Sequence, residues 1–269
     1  MLIDINAYVG QWPFQQLQHN TCEALYRRMK EFGIDISVIS NLNGIFYKNT
    51  QSANEELSAE ISSKRYFSDH FIPFAVINPI YAGWRVDLDV SIKKFGFKGV
   101  RLYPSYHDYD ILDPQCIELV KRVRDYGLPV SFNFRMVDGR QRSWMDIAYV
   151  KNNVIREWNF KNILPIINEV PDASYMILNY ANEVKLSAEE TNLIKKTNLL
   201  IDTSGRMIVN MPLFLQRFGV DKFAFGSHSP ILDYLTGLLR IESLYDHEAD
   251  ERVKEILRSG NAKKMLGLK

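Results

Sequence analysis

Leu2-Ile3-Asp4-Ile5-Asn6-Ala7-Tyr8-Val9-Gly10 is an alternating apolar run that turns polar toward its end and stops at glycine. Successive side chains of a strand point to opposite faces. Ile3, Ile5 and Ala7 are therefore expected toward packing helices, and Asp4, Asn6 and Tyr8 toward the other side. This first strand, Leu2–Tyr8, is followed by Ile36–Ser40, Phe71–Asn78, Phe97–Tyr103, Pro129–Arg135, Tyr175–Ala181, Leu199–Ser204 and Lys222–His228, with helical patterns between them. Strands separated by helices pair in parallel through right-handed crossovers. Such a succession in 269 residues predicts one α/β domain over residues 1–269. Its class is the (β/α)8 TIM barrel, which typically needs about 250 residues. An open doubly wound sheet is the alternative, because closure is not written in a sequence.

The intervening segments carry helix punctuation. Asn20 precedes Glu23 with capping spacing, and that helix runs to Gly33, a suitable stop. Ser52 and Glu55 form a second candidate capping box before Glu56–Tyr66, and Ser187 and Glu190 a third. Asp113-Pro114 sets an N-cap before a proline at the first helical position, and Gly127 closes that helix. Asp246–Lys269 reads as a terminal helix and tail. Two insertions follow strands: Asn41–Ala53, with Asn43, Phe46, Tyr47 and Lys48, and Met136–Asn159, with Asp138, Arg140, Arg142, Trp144 and Trp158. Loops after strands form the functional face of such barrels, so both are candidates to cover a pocket.

Composition narrows the function classes. A hydrophobic share of 46% supplies a packed core, and a net charge of +1 without long runs of one sign gives no electrostatic case for nucleic acid or an acidic membrane. Cys22 and Cys116 fall on separate helices, a spacing that suits reduced structural thiols. No leader-like start and no apolar run of about 18 residues appear, so a cytoplasmic protein is expected. The expected partner is a small-molecule ligand, with homo-oligomerisation left open.

Alternation also assigns the barrel interior. Beside Asp4, Asn6 and Tyr8, the inward rows hold Arg101 and Tyr103 on the fourth strand and Ser131, Asn133 and Arg135 on the fifth. Asn179, Asp202 and His228 come from the sixth, seventh and eighth. Buried polar groups must be satisfied, and barrel interiors otherwise favour Val, Ile and Leu. A ring of polar groups at the strand ends therefore points to a ligand, with a self-contained network as the alternative. Arg101 and Arg135 suit a carboxylate or phosphate, or else pair with Asp4, Asp202 or Asp138. His107, between Tyr106 and Tyr109 after the fourth strand, is a ligand contact or a solvated loop residue. Tyr8 and Tyr103 offer hydroxyls or fill space. His19, His70 and His247 read as structural. Lys98 and Lys222 begin their strands, at the wrong end for a Schiff base in the mouth.

The chain resembles the amidohydrolase-related family of the metal-dependent hydrolase superfamily over nearly its whole length. The segments that carry the likeness are the first strand through Trp12-Pro13-Phe14, Phe71–Pro79, Gly96–Pro104, Tyr106–Tyr109, Gly127–Val130, Phe225–Pro230 and Gly260–Leu266. The resemblance implies the barrel, and a mouth in which histidines on strands one, five and six and an aspartate on strand eight hold a divalent metal. The aspartate there is also general base toward a metal-bound water. At the matching positions this sequence has Asn6, Tyr8, Asn133, Asn179 and His228, which implies a divergent branch.

No metal ligand is therefore assigned, and neither the family's zinc nor another divalent ion is expected to bind tightly. By resemblance, the activity would be hydrolysis of a lactone, amide or ester, or a related decarboxylation. His228 would serve as acid or base, with Arg101 and Arg135 on an anionic group. The alternative is a catalytically silent relative acting as a binding, sensor or assembly protein. A third reading is a metal enzyme using His107, His228 and Asp202.

Overall fold

Short runs rich in Val, Ile and Phe, each returned to the same end by a helix, leave parallel pairing as their natural hydrogen-bond solution. The computed structural model describes residues 1–133, 136, 160–180, 186–205, 208 and 210–269. Its strands are β1 (Ile3–Val9), β2 (Ile36–Asn41), β3 (Phe71–Pro73), β4 (Ala75–Val76), β5 (Val100–Leu102), β6 (Pro129–Asn133), β7 (Ser174–Leu178), β8 (Leu199–Asp202) and β9 (Phe223–Ala224). All pairs are parallel, in the orders β1-β2-β3 and β4 through β9. The third strand read from the sequence is thus two segments broken at Phe74, whose N–H still donates to Ile39 O at 2.8 Å. The last strand closes on the first through Ile5 N–H to Phe225 O (3.0 Å), His228 N–H to Asn6 O (2.7 Å) and Tyr8 N–H to Ser229 O (2.8 Å). This is a closed (β/α)8 barrel.

The expected assignment of faces holds on β5 to β9 and fails on the first half of β1. Ile3 and Ile5 join Val38, Phe74, Met176, Leu178, Leu200 and Ala224 in the apolar floor of the barrel interior. Ala7 and Val9 belong to the layer between barrel and helices. The cause is a bulge: Asp4 pairs with Ser37, but Ala7 already pairs with Ile39. One extra residue shifts the alternation, so Ile5 and Asn6 both serve the interior. Asp4 consequently lies on the helix-facing side with Ser37, which corrects its expected place in the mouth.

Caps hold the helices around this wall. Ser187 and Glu190 form the expected capping box, and Asp113 accepts from Gln115 N–H ahead of Pro114. The helix Cys22–Glu31 is capped by Thr21 rather than Asn20, whose carbonyl is taken by Gly10 N–H. Ser52 lies inside the helix Gln51–Ser62 and makes no capping box; a second helix, Arg65–His70, follows. Gly237, in the helix Tyr234–Glu242, approaches the Gly226 carbonyl too closely for any β-carbon. The C-terminal segment plugs the barrel floor: Ala262 packs into it, and Asn261 Nδ2 donates to Val220 O and Phe223 O. No described helix is long and apolar enough to cross a membrane.

Candidate functional site

The strand ends converge on Asp202. Its Oδ2 accepts from Ser204 Oγ at 2.5 Å and Asn6 Nδ2 at 2.7 Å, and its Oδ1 accepts from Asn179 N–H at 2.7 Å. Burial pushes the Asp202 carboxyl up; these hydrogen bonds and the Arg240 charge pull the other way. Asn6 Nδ2 also lies 3.4 Å from Ser204 Oγ and 3.4 Å from His228 Nδ1. On the other side of that ring, His228 Nε2 is 2.9 Å from Met136 O and 3.4 Å from Asn179 Nδ2. The Tyr8 ring meets the imidazole edge-on, with centroids 5.2 Å apart. His228 (φ 59°) and Asn179 (φ 48°) both adopt the left-handed backbone that non-glycine residues seldom occupy. Their own N–H groups, bonded to Asn6 O and Asp202 Oδ1, hold them there.

A second cluster adjoins the first through Tyr8. Asn133 Nδ2 donates a short hydrogen bond to Tyr8 Oη, and burial holds the Tyr8 phenol well above its usual range. The Arg101 guanidinium lies over the Tyr8 ring, 4.7 Å from its centre. Arg101 crosses the barrel interior to donate from Nη1 to Ala7 O (2.9 Å) and from Nη2 toward Ile5 O (3.4 Å). The side chain is 0% exposed, its Nε–H meets no acceptor, and among the described residues no carboxylate pairs with it. The expected ion pairs to Asp4 and Asp202 are therefore not made. Beside it, the buried Tyr103 hydroxyl lies close to the Arg101 guanidinium without a well-formed hydrogen bond. Burial raises the Tyr103 phenol while the Arg101 charge opposes the rise.

Two expected site residues stand elsewhere. Asp4 accepts from Asn6 N–H and Ser227 N–H at 2.9 Å each and from Ser227 Oγ at 2.5 Å, clasping β1 to the segment after β9. Burial pushes its carboxyl up to about 6 against those hydrogen bonds. His107, buried rather than solvated, donates from Nε2 to Gly44 O at 3.0 Å and ties the loop after β5 to the loop after β2. Burial lowers its imidazole to about 4. His107, His228 and Asp202 do not come together, and among the described residues no group of three or more His, Cys, Asp or Glu side chains is placed for a metal ion. Arg135 lies outside the described residues, as do Asp138, Arg140, Arg142, Trp144 and Trp158. In the other insertion, Phe46 packs on Trp12 and Phe14, with centroids 5.5 and 5.8 Å apart, in an apolar collar around Tyr8 and Tyr103.

Sequence reasoning missed Ser204, Ser227, Arg240 and the Met136 carbonyl. Ser204 shared a face with Asp202 two residues away and was within reach of the same alternation. Arg240, which donates to Thr203 O at 2.6 Å and to Gly205 O, gave no signal in an ordinary helix pattern.

No protein-family model matches the sequence, and no curated protein matches it. Solved structures do. A 2,6-dihydroxybenzoate decarboxylase from Rhizobium superposes with a TM-score of 0.71 at 13% identity, covering 99% of this chain and 98% of that one. A putative amidohydrolase from Staphylococcus aureus gives 0.69 at 17%, over 99% of each chain. A dihydroxybenzoic acid decarboxylase from Polaromonas sp. JS666, with manganese and 2-nitroresorcinol bound, gives 0.69 at 13%, over 99% and 96%. This chain shares the α/β barrel fold of these structures.

Among the described residues, the donors at the matched positions are a poor set for a tightly held divalent ion. Three amides, a phenol whose proton burial secures and one imidazole stand at the positions matched to the family's ligands. Neutral amides and phenols compete poorly with water for such an ion. The nearby carboxylate, Asp202, is already committed to Ser204, Asn6 and Asn179.

Proposed function

We propose that this protein is an amidohydrolase-related barrel that takes a small anionic molecule in its mouth without a tightly bound metal. The carrying observation is Arg101, a fully buried guanidinium with no carboxylate counter-ion among the described residues and an unused Nε–H. A buried charge left with only carbonyls and a ring face is costly, and an incoming anion would relieve that cost. The adjacent Tyr103 hydroxyl offers a second donor. Arg135, in the inward row by alternation with Asn133, is proposed as a second cation. The structural neighbours named for dihydroxybenzoate decarboxylation act on an anion, in keeping with this reading. If the protein turns over its ligand, the reaction class is hydrolysis of a lactone, amide or ester, or decarboxylation, with His228 at the reacting group.

Calorimetry with a panel of aromatic and short aliphatic carboxylates and inorganic phosphate tests the proposal. Arg101→Gln should weaken the best carboxylate by about 1.5–3 kcal/mol, the worth of a lost charge-assisted hydrogen bond. Arg135→Gln should do the same for the second cation. Unchanged affinity in both folded variants would remove the arginines from the site. A second reading, a catalytically silent binding or sensor protein, is favoured by one specific observation. Among the described residues, the ring nitrogens of His228 face the Asn6 and Asn179 amides and the Met136 carbonyl, all of them neutral groups.

A further inference from the structure

We propose that Asn6 is a positioning residue that fixes the protonation of His228, making the imidazole a neutral Nε2–H donor rather than a base. Asp202 Oδ2 is an acceptor, so the Asn6 group 2.7 Å from it must be the NH2 end of the amide. That nitrogen carries two hydrogens and accepts nothing. The same atom stands 3.4 Å from His228 Nδ1 and 3.4 Å from Ser204 Oγ, so its second hydrogen is shared between them and favours an Nδ1 that presents its lone pair. Across the ring, Nε2 stands 2.9 Å from the Met136 carbonyl, which only accepts, so Nε2 must carry the proton. The Asn179 amide nitrogen, 3.4 Å from the same Nε2, stands farther off than this carbonyl, and the shorter contact decides the assignment. His228 N–H, bonded to Asn6 O at 2.7 Å, keeps the two residues in register.

The chemistry follows from the tautomer. An Nε2–H imidazole cannot take a proton at Nε2, and protonating Nδ1 would set its new N–H against the Asn6 NH2. His228 is therefore suited to donate toward an oxygen that carries or develops negative charge, a carbonyl or carboxylate oxygen of the ligand, which would take the place of Met136 O. That step rests on the proposal that the mouth takes a small anion; the tautomer itself does not. Asn6 occupies a position the resemblance matches to a metal-ligating histidine, and here it orients an imidazole instead.

The full chain labelled with 15N-histidine, without ligand at pH 7, tests this through long-range proton–nitrogen correlations. The His228 signals are assigned by their loss in His228→Gln. The expected pattern is a protonated, pyrrole-type Nε2 and an unprotonated, pyridine-type Nδ1. An Nδ1–H tautomer or an imidazolium overturns the proposal. Asn6→Asp replaces the donor with an acceptor and should move the proton to Nδ1 or produce the imidazolium; an unchanged spectrum in the folded variant shows that Asn6 does not set the state. Should that variant not fold, Asp202→Asn frees the Asn6 amide to turn and should give a tautomer mixture, and a single retained Nε2–H form overturns the role of Asn6. Because no ligand is present, these results are independent of whether anion binding succeeds.

Discussion

Asp4 and His107 are both buried, and they answer acid in opposite senses. Asp4 is raised from 3.8 to about 6, so between those values the folded state binds the proton that the unfolded state releases. Its contribution therefore grows as pH falls through 6. His107 is lowered from 6.5 to about 4, so the unfolded state binds the proton first and stability is lost as pH falls from 6.5. Each shift is worth about 3 kcal/mol, and the two offset each other in the wild type. Urea denaturation from pH 7 to 4.5 should show Asp4→Asn losing stability more steeply than wild type and His107→Gln losing less. Parallel curves for all three would refute the burial argument. His228 poses a different question. If a turnover is found among lactones, esters, amides or carboxylates, His228→Asn should reduce it by about 10²–10⁴-fold while the fold persists. Full retention of rate would exclude the ring from the chemistry. Most of these residues could be named from alternation, because Asn6, Tyr8, Arg101, Asn133, Asp202 and His228 do share the interior. Their partners could not, since the bond from Asn6 to Asp202 joins positions whose spacing only the closed barrel decides.

Elements were read more securely than their edges. Helix caps with a side-chain acceptor and a following proline or glutamate, as at Asp113 and Ser187, are local chemistry and appear where expected. The break at Phe74 and the β1 bulge are set by neighbours distant in sequence, so no local pattern announces them. The close approach of the helix Tyr234–Glu242 to the barrel was equally silent, although it rests on one glycine. A methyl at Gly237 would meet the Gly226 carbonyl and stand 3.1 Å from Thr203 Oγ1. Alanine gains about 1 kcal/mol of helix propensity over glycine, but overpacking against a backbone atom costs about 1–3 kcal/mol. Gly237→Ala should therefore lower the urea midpoint despite the better helix former. An unchanged or higher midpoint would mean that the helix moves aside without loss.

At the scale of the molecule, closure and the polarity of the mouth have separate origins. The barrel is joined by backbone hydrogen bonds between β1 and the segment from Phe225 to Ser229. The mouth depends on which side chains those backbones deliver. Protein purified without chelator should carry well under one transition metal per chain, because the matched positions offer amides and a phenol where imidazoles would be needed. One zinc or manganese per chain by elemental analysis, held at the strand ends, would reverse the metal-free reading. The bulge in β1 has one more consequence. It leaves the two halves of the strand out of phase: Ile3 and Ile5 keep time with the floor, Asn6 and Tyr8 with the mouth. Substitution at any of these positions alters one side chain and leaves the phase alone. Deleting a single residue between Asp4 and Ala7 would instead bring both halves into one phase, so that either the floor or the mouth turned to face the helices. The strand can tolerate a change of letter far better than a change of count.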